Sequence, residues 1–313
     1  MPQLTTASPS LETRPFAPTH PTPVPLAPGA AKVELRGVSK IYSTGAKRFA
    51  ALSEIDLAIR DGEFLAIVGP SGCGKSTLLN LIAGFECPDS GEVFFEGQAV
   101  TGAGPERLVL FQEHGLFPWL NVRQNVEFGL RVRGLSKAER RERAEHYLKM
   151  VHLQKFKRSY PFQLSGGMKQ RTAIARALAV EPRMLLMDEP FSALDPRTRD
   201  ILHLELQRLW MATRKTIVFV THSVEEAVRL ADRIVVMASQ PGRIRSVFEV
   251  ALPHPREFMD PALVELRGAI LRELEDELGK LVKKEGDDDW RIEEKSIGAR
   301  ARRDLDFGLG DGI

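Results

Sequence analysis

The segment Gly69-Pro70-Ser71-Gly72-Cys73-Gly74-Lys75-Ser76-Thr77 restricts what this chain can fold into more than any other stretch. A glycine, four free positions and then Gly-Lys-Ser is the spacing of a phosphate-binding loop. The flanks agree, since Phe64-Leu65-Ala66-Ile67-Val68 reads as a short buried strand and Thr77 to Ala83 as a helix. Glycines are required because backbone N–H groups must turn inward around a phosphate, where Cβ atoms would stand in the way. The N-terminus of the following helix adds partial positive charge to that nest. Lys75 can reach β- and γ-phosphates, and the Ser76 hydroxyl can ligate Mg²⁺. A Gly-rich turn that merely precedes a lysine is the bland alternative, and the strand and helix on either side argue against it. The chain is therefore expected to bind a nucleoside triphosphate through Gly69 to Thr77.

Three further apolar strands end in chemistry-bearing residues. Arg107-Leu108-Val109-Leu110-Phe111 runs to Gln112, Met184-Leu185-Leu186-Met187 to Asp188 and Glu189, and Thr216 to Thr221 to His222. Arg233 to Met237 makes one more strand. Adjacent carboxylates at the end of a buried strand are costly unless a metal or reactant uses them. A single histidine there is about as often a satisfied structural residue. Strands alternating with helices imply an α/β fold with a mainly parallel, doubly wound sheet. In such sheets a ligand sits beyond the carboxyl ends of the strands, where Ser76, Gln112, Asp188, Glu189 and His222 would meet.

Period-two alternation in Val33–Leu35, Ala51–Ile59 and Glu92–Gly97 predicts a small antiparallel sheet beside that site, with Tyr42 falling after its first strand. Residues 117–163 read as a helical insert. Ser136 and Glu139 form a capping box opening a helix with Ala144, Leu148 and Val151 on one face, and its charged residues read as a solvated surface. Ahead of it, Phe117, Trp119 and Leu120 form an unusually apolar group, either part of the insert's own core or a docking face. Ser165-Gly166-Gly167 opens the next helix as a second, weaker phosphate-seeking nest.

Residues 1–30, with Pro21, Pro23, Pro25 and Pro28, read as a disordered leader, and the charged stretch after Lys284 as a flexible tail. Leu263, Leu266, Ile270, Leu274, Leu278 and Leu281 give residues 261–284 one apolar helical face, read as docking on the chain's own core in preference to a partner helix. A formal net charge of +2 from 44 basic and 42 acidic residues offers no basic surplus for nucleic acid. Only Cys73 and Cys87 are present, too few for a disulfide framework. No apolar run approaches the ~20 residues of a membrane span, so any membrane role must be peripheral.

Taken together these motifs resemble the ATP-binding subunit of an ABC transporter over roughly residues 33–250. Gly69 to Thr77 looks like its Walker A motif, Gln112 its Q-loop glutamine, and Leu164-Ser165-Gly166-Gly167-Met168-Lys169-Gln170 its signature, with Met168 where glutamine is usual. Met184 to Glu189 resembles Walker B with the catalytic glutamate, Ser192-Ala193-Leu194-Asp195 the D-loop, His222 the switch histidine and Tyr42 the adenine-stacking aromatic. The resemblance implies a RecA-like P-loop NTPase domain over 31–250, with a mainly parallel core, an antiparallel β subdomain and a helical subdomain at about 117–165. Residues 251–313 would add a C-terminal helix and tail.

It also implies ATP and Mg²⁺ as cofactors, the metal held by Ser76, Asp188 and Gln112. Glu189 would be the general base, oriented by His222, with Lys75 offsetting phosphate charge. Two cassettes would pack head to tail, Ser165-Gly166-Gly167 of one closing on the γ-phosphate of the other. Phe111 to Val122 looks like importers of nitrate, sulfonates and taurine. That implies integral-membrane permease subunits as partners, an extracytoplasmic substrate-binding protein indirectly, and a peripheral place on the cytoplasmic face of the cell membrane. A soluble ABC-type ATPase acting on ribosomes or DNA is the alternative, disfavoured by the single cassette and short insert. A catalytically dead cassette is opposed by intact Lys75, Asp188, Glu189 and His222. Cys73, among inward-facing N–H groups and near Lys75, is expected to react faster than Cys87.

Overall fold

A computed structural model describes residues 31–285 apart from 46, 113, 114, 193 and 257–259. The leader at 1–30 and the tail after 285 lie outside the described residues. The alternation at Val33 belongs to one long strand, β1 (Ala31–Thr44), which turns back as β2 (Lys47–Arg60). Register shifts near Gly37, whose φ is +56°, keep the strand continuous past the point where the pattern breaks. Tyr42 therefore lies inside β1, opposite Phe49, and not after it. With β4 (Ser90–Phe95) and β5 (Gln98–Ala99) these strands form an antiparallel sheet in the order β2-β1-β4-β5.

The second sheet has the order β10-β9-β3-β8-β7-β6. β3 (Phe64–Val68), β6 (Arg107–Leu110), β7 (Met184–Asp188), β8 (Thr216–Thr221) and β9 (Arg233–Ala238) run parallel; only β10 (Arg243–Glu249) is antiparallel. β3 and β8 are buried at every position, as continuous apolar runs covered on both faces must be. The register pairs Val68 with Thr221, Asp188 with Val220 and Leu110 with Met187, so the carboxyl ends of four strands line one edge.

Helices α1 (Lys75–Ala83), α2 (Val122–Val132), α3 (Lys137–Met150), α4 (Gly166–Ala179), α5 (Pro196–Thr213), α6 (Val224–Leu230) and α7 (Pro261–Glu285) complete the architecture. One core cluster lies between the antiparallel sheet, α1 and one face of the parallel sheet; the other joins the opposite face to α2–α6. Phe64 and Phe219 at its centre, with Trp210 edge-on to Phe64, each stabilise by roughly 1.5–3 kcal/mol through burial. The Ser136–Glu139 capping box is formed, and Ala144, Leu148 and Val151 are buried beneath an exposed charged face, as read from the sequence.

The apolar group at 117–120 divides. Phe117 packs on Phe128 with ring centroids 4.3 Å apart, and buried Asn125 ties its backbone down, while Trp119 is 71 % exposed. Leu263, Leu266 and Ile270 of α7 are buried in the core, as expected; Leu278 and Leu281 have no described side chains. The chain divides into two compact units at Leu274–Glu275, within α7.

Candidate functional site

β3 ends at Val68, and the loop turns into α1 at Gly74. Gly72 and Gly74 take φ of +76° and +94°, left-handed values that a Cβ disfavours. A Cβ on Gly74 would stand 2.7 Å from Leu52 Cδ2 and 2.8 Å from the Ala51 carbonyl oxygen; one on Gly69 would meet the Met237 carbonyl oxygen at 2.8 Å. The loop is thus pressed between β2 and β9, with no room for larger residues at these positions. No side chain caps the N-terminus of α1, which leaves its first-turn amides to a ligand. Inside the loop Lys75 is only 7 % exposed, its ammonium donating to the carbonyls of Gly69 (2.8 Å) and Pro70 (2.9 Å). A nearly buried cation within a cradle of backbone amides suits an anion of phosphate size.

Two carboxylates face this loop from β7. Asp188 hydrogen-bonds the Ser76 side chain, and its carboxyl is pushed up chiefly by burial and by the neighbouring Glu189, against Ser76 and Lys75. A hydroxyl and a carboxylate side by side are hard oxygen donors of the kind Mg²⁺ accepts beside phosphate oxygens. Glu189 has φ of +44°, strained for a residue with a Cβ, and is pinned by its N–H to the Val220 carbonyl at 2.9 Å. Its Oε2 lies 3.1 Å from Nδ1 of His222, at the end of β8. Gln112 is exposed just beyond β6, and the Leu110–Met187 register carries it level with Glu189. Among the described residues no hydrogen bond joins Gln112 to Ser76 or Asp188.

Tyr42 is tethered to the end of α1. Its hydroxyl donates to Glu86 Oε2 at 2.6 Å, Glu86 also accepts from Asn80 on α1, and the Lys40 ammonium lies 5.6 Å from the ring centroid. Ser165 sits apart from this cluster. It is the N-cap of α4, its hydroxyl accepting from the Met168 N–H at 3.3 Å, and α4 packs on α2, α3, α5 and β6. Ser165 and Gly166 are exposed, while Gly167 lies against Thr198 of α5. The structure therefore brings together Lys75, Ser76, Asp188, Glu189 and His222, with Gln112 on the same edge, and leaves Ser165 to Gly167 elsewhere.

The burial of Cys73 argues against its expected reactivity. Its side chain is fully buried and burial pushes the thiol up, outweighing Lys75, whereas Cys87 is exposed. Sequence reasoning also passed over Glu226, a buried carboxylate behind His222. The Ser223-Val224-Glu225-Glu226 spacing, a capping-box pattern, was the available signal.

The family profile described as ABC transporter matches residues 52–192. An ABC transporter ATP-binding protein of Methanocaldococcus jannaschii is 48 % identical over 80 % of this chain and 94 % of its own length. The nitrate import ATP-binding protein of Synechocystis is 48 % identical over 72 % of this chain and 85 % of its own. Among solved structures, a dimeric ATP-binding cassette bound to ADP and Pi in a post-hydrolysis state superposes with a TM-score of 0.63. It is 36 % identical and covers 71 % of this chain and all of its own. With the phosphate loop, the paired carboxylates and the histidine assembled on one sheet edge, the chain belongs to the ABC transporter family, as one of its ATP-binding ATPases.

Proposed function

We propose that this chain is the ATP-hydrolysing subunit that energises a membrane importer for a small anion. The observation that carries the catalytic part is the strained Glu189, its carboxylate 3.1 Å from His222 beside the Lys75 loop. Glu189 takes the proton of the attacking water, an effect typically of about 10²–10⁴-fold. His222 holds that carboxylate in place, and Lys75 offsets phosphate charge. Ser76 and Asp188, with Gln112, would hold Mg²⁺, which when bound neutralises charge on the phosphates. Tyr42 stacks the adenine.

Two copies pack head to tail, so that Ser165, Gly166 and Gly167 of one meet the γ-phosphate bound by the other. The separation of that nest from the Lys75 cluster supports this, as does the dimeric state of the related cassette. Among the described residues no helix is long and apolar enough to cross a membrane, so the transport path belongs to permease subunits. Exposed Trp119, beside anchored Phe117, faces them from the cytoplasmic side. The nitrate import relative supports a small anion as cargo, delivered by a substrate-binding protein that this chain does not touch.

The test is recovery of the tagged chain from detergent-solubilised membranes. An integral membrane protein should co-purify; recovery with ribosomes or DNA instead would sink the importer reading. Growth of a deletion strain on nitrate, a sulfonate or taurine as sole nitrogen or sulfur source then identifies the cargo.

A further inference from the structure

Glu226, on α6, is 5 % exposed and stands outside the reacting groups, yet it is fastened to both sides of them. Its Oε2 accepts from the Thr221 hydroxyl at 2.5 Å. Thr221 Oγ1 in turn accepts from the Ser223 N–H at 3.0 Å, and the Glu226 N–H donates to Ser223 Oγ at 3.3 Å. Both chain neighbours of His222 are thereby held by one residue. The other oxygen, Oε1, faces α5, with His203 Nε2 at 3.3 Å and Arg199 Nε at 3.8 Å. The His203 ring stands edge-on to buried Phe191, centroids 5.1 Å apart, two residues beyond Glu189. One carboxylate thus links the segment carrying His222 to the segment carrying Glu189. Burial alone would push its carboxyl up; the adjacent His203, the Thr221 hydroxyl and the nearby Arg199 together outweigh this and hold it below the ordinary value.

We propose that Glu226 is a positioning residue for hydrolysis: by joining Thr221 and Ser223 to His203 and Arg199, it fixes the approach of His222 to Glu189. It meets neither nucleotide nor attacking water. The inference rests on the ATPase reading and adds to it the element that sets the geometry of its base. A carboxylate that only anchors the fold would lower stability when changed and leave the turnover of folded protein intact. One that positions His222 lowers kcat without altering ATP binding, because misplacement of a reacting group by even about 1 Å can cost up to ~10²-fold.

Glu226→Gln in the full chain keeps the shape and removes the charge. Its expected result is a kcat reduced about tenfold with KM for ATP within about twofold of the parent. In protein labelled with ¹³C-histidine, the imidazole resonance of His222, assigned through His222→Ala, should move. A kcat at the parent level, a KM rising in step with the loss, or a His222 resonance left in place would each overturn the proposal. Should Glu226→Gln fail to fold, His203→Asn, which touches the α5 side of the Glu226 carboxylate and leaves the Thr221 and Ser223 bonds in place, carries the same expected and overturning results. A parent chain without ATPase activity would instead remove the underlying reading, so the two failures are distinguishable.

Discussion

Two helices of this protein open on glycine, and they are built in opposite ways. α1 begins at Gly74, in a left-handed conformation, with no side-chain cap and with Lys75 folded into the loop ahead of it. α4 begins at Ser165, in an extended conformation, capped by its own hydroxyl and exposed at its tip. Among the described residues no side chain caps the first nest, which is enclosed by β2 and β9. The second is conventionally capped, with Ser165 and Gly166 exposed at its tip and Gly167 packed against Thr198. Similar Gly-rich composition thus yields one nest enclosed by strands and one open at its tip, and the difference lies in which neighbours surround each.

The largest test of that contrast is Glu189→Gln, which leaves both nests intact while removing the carboxylate proposed as the base. ATP should still bind and an ATP-dependent dimer accumulate on size-exclusion chromatography, while turnover falls by about 10²-fold or more. Turnover near the parent rate would remove Glu189 from its role. Next in size is complementation. A Lys75→Ala chain and a Ser165→Arg chain should each be inactive alone, yet their mixture should regain hydrolysis through one composite site free of both changes. No recovery, with mixed dimers demonstrably formed, would argue against head-to-tail packing.

A smaller effect separates the glycines themselves. Gly74→Ala places a Cβ at φ +94° and against Leu52 and the Ala51 carbonyl, so a loss of about 1–3 kcal/mol is expected in urea unfolding. Gly166→Ala meets only Leu194 Cδ2, at 3.3 Å, with no left-handed backbone, and should stay within about 0.5 kcal/mol of the parent. Equal losses would mean the two nests are equally constrained. The smallest expected effect concerns Cys73. With its thiol buried and pushed up, maleimide at pH 7 should label Cys87 first, and Mg-ATP should change the Cys87 rate little. Faster labelling of Cys73 would show that the loop opens far more than its packing allows.

Much of the site could be read along the chain because its requirements are local. A glycine that must take a positive φ, a strand whose side chains are all apolar until its last residue, and a serine placed three residues before a glutamate each leave a mark within a few positions. Gly69 to Thr77, Asp188, Glu189 and His222 were legible for that reason, and so was the mainly parallel sheet that collects them. The burial of Cys73 was not, because it is decided by how tightly the loop packs in three dimensions. Residues beyond the break at Gly37 gave no sign that β1 continues to Tyr42, since the bulge is held by partners on β2 and β4.

The sequence by itself determined the strand, glycine-rich loop and helix around Gly69 to Thr77, the strand that ends on Asp188 and Glu189, and the cap at Ser136, since dihedral preference and apolar periodicity act between near neighbours. Only the tertiary structure decided that Phe117 is internal while Trp119 is exposed, and that Glu226 holds the Thr221 hydroxyl while lying beside Arg199 and His203 on α5. Those outcomes are set by packing and desolvation in three dimensions; the Ser223-Val224-Glu225-Glu226 spacing marks a cap and says nothing of the reach to α5.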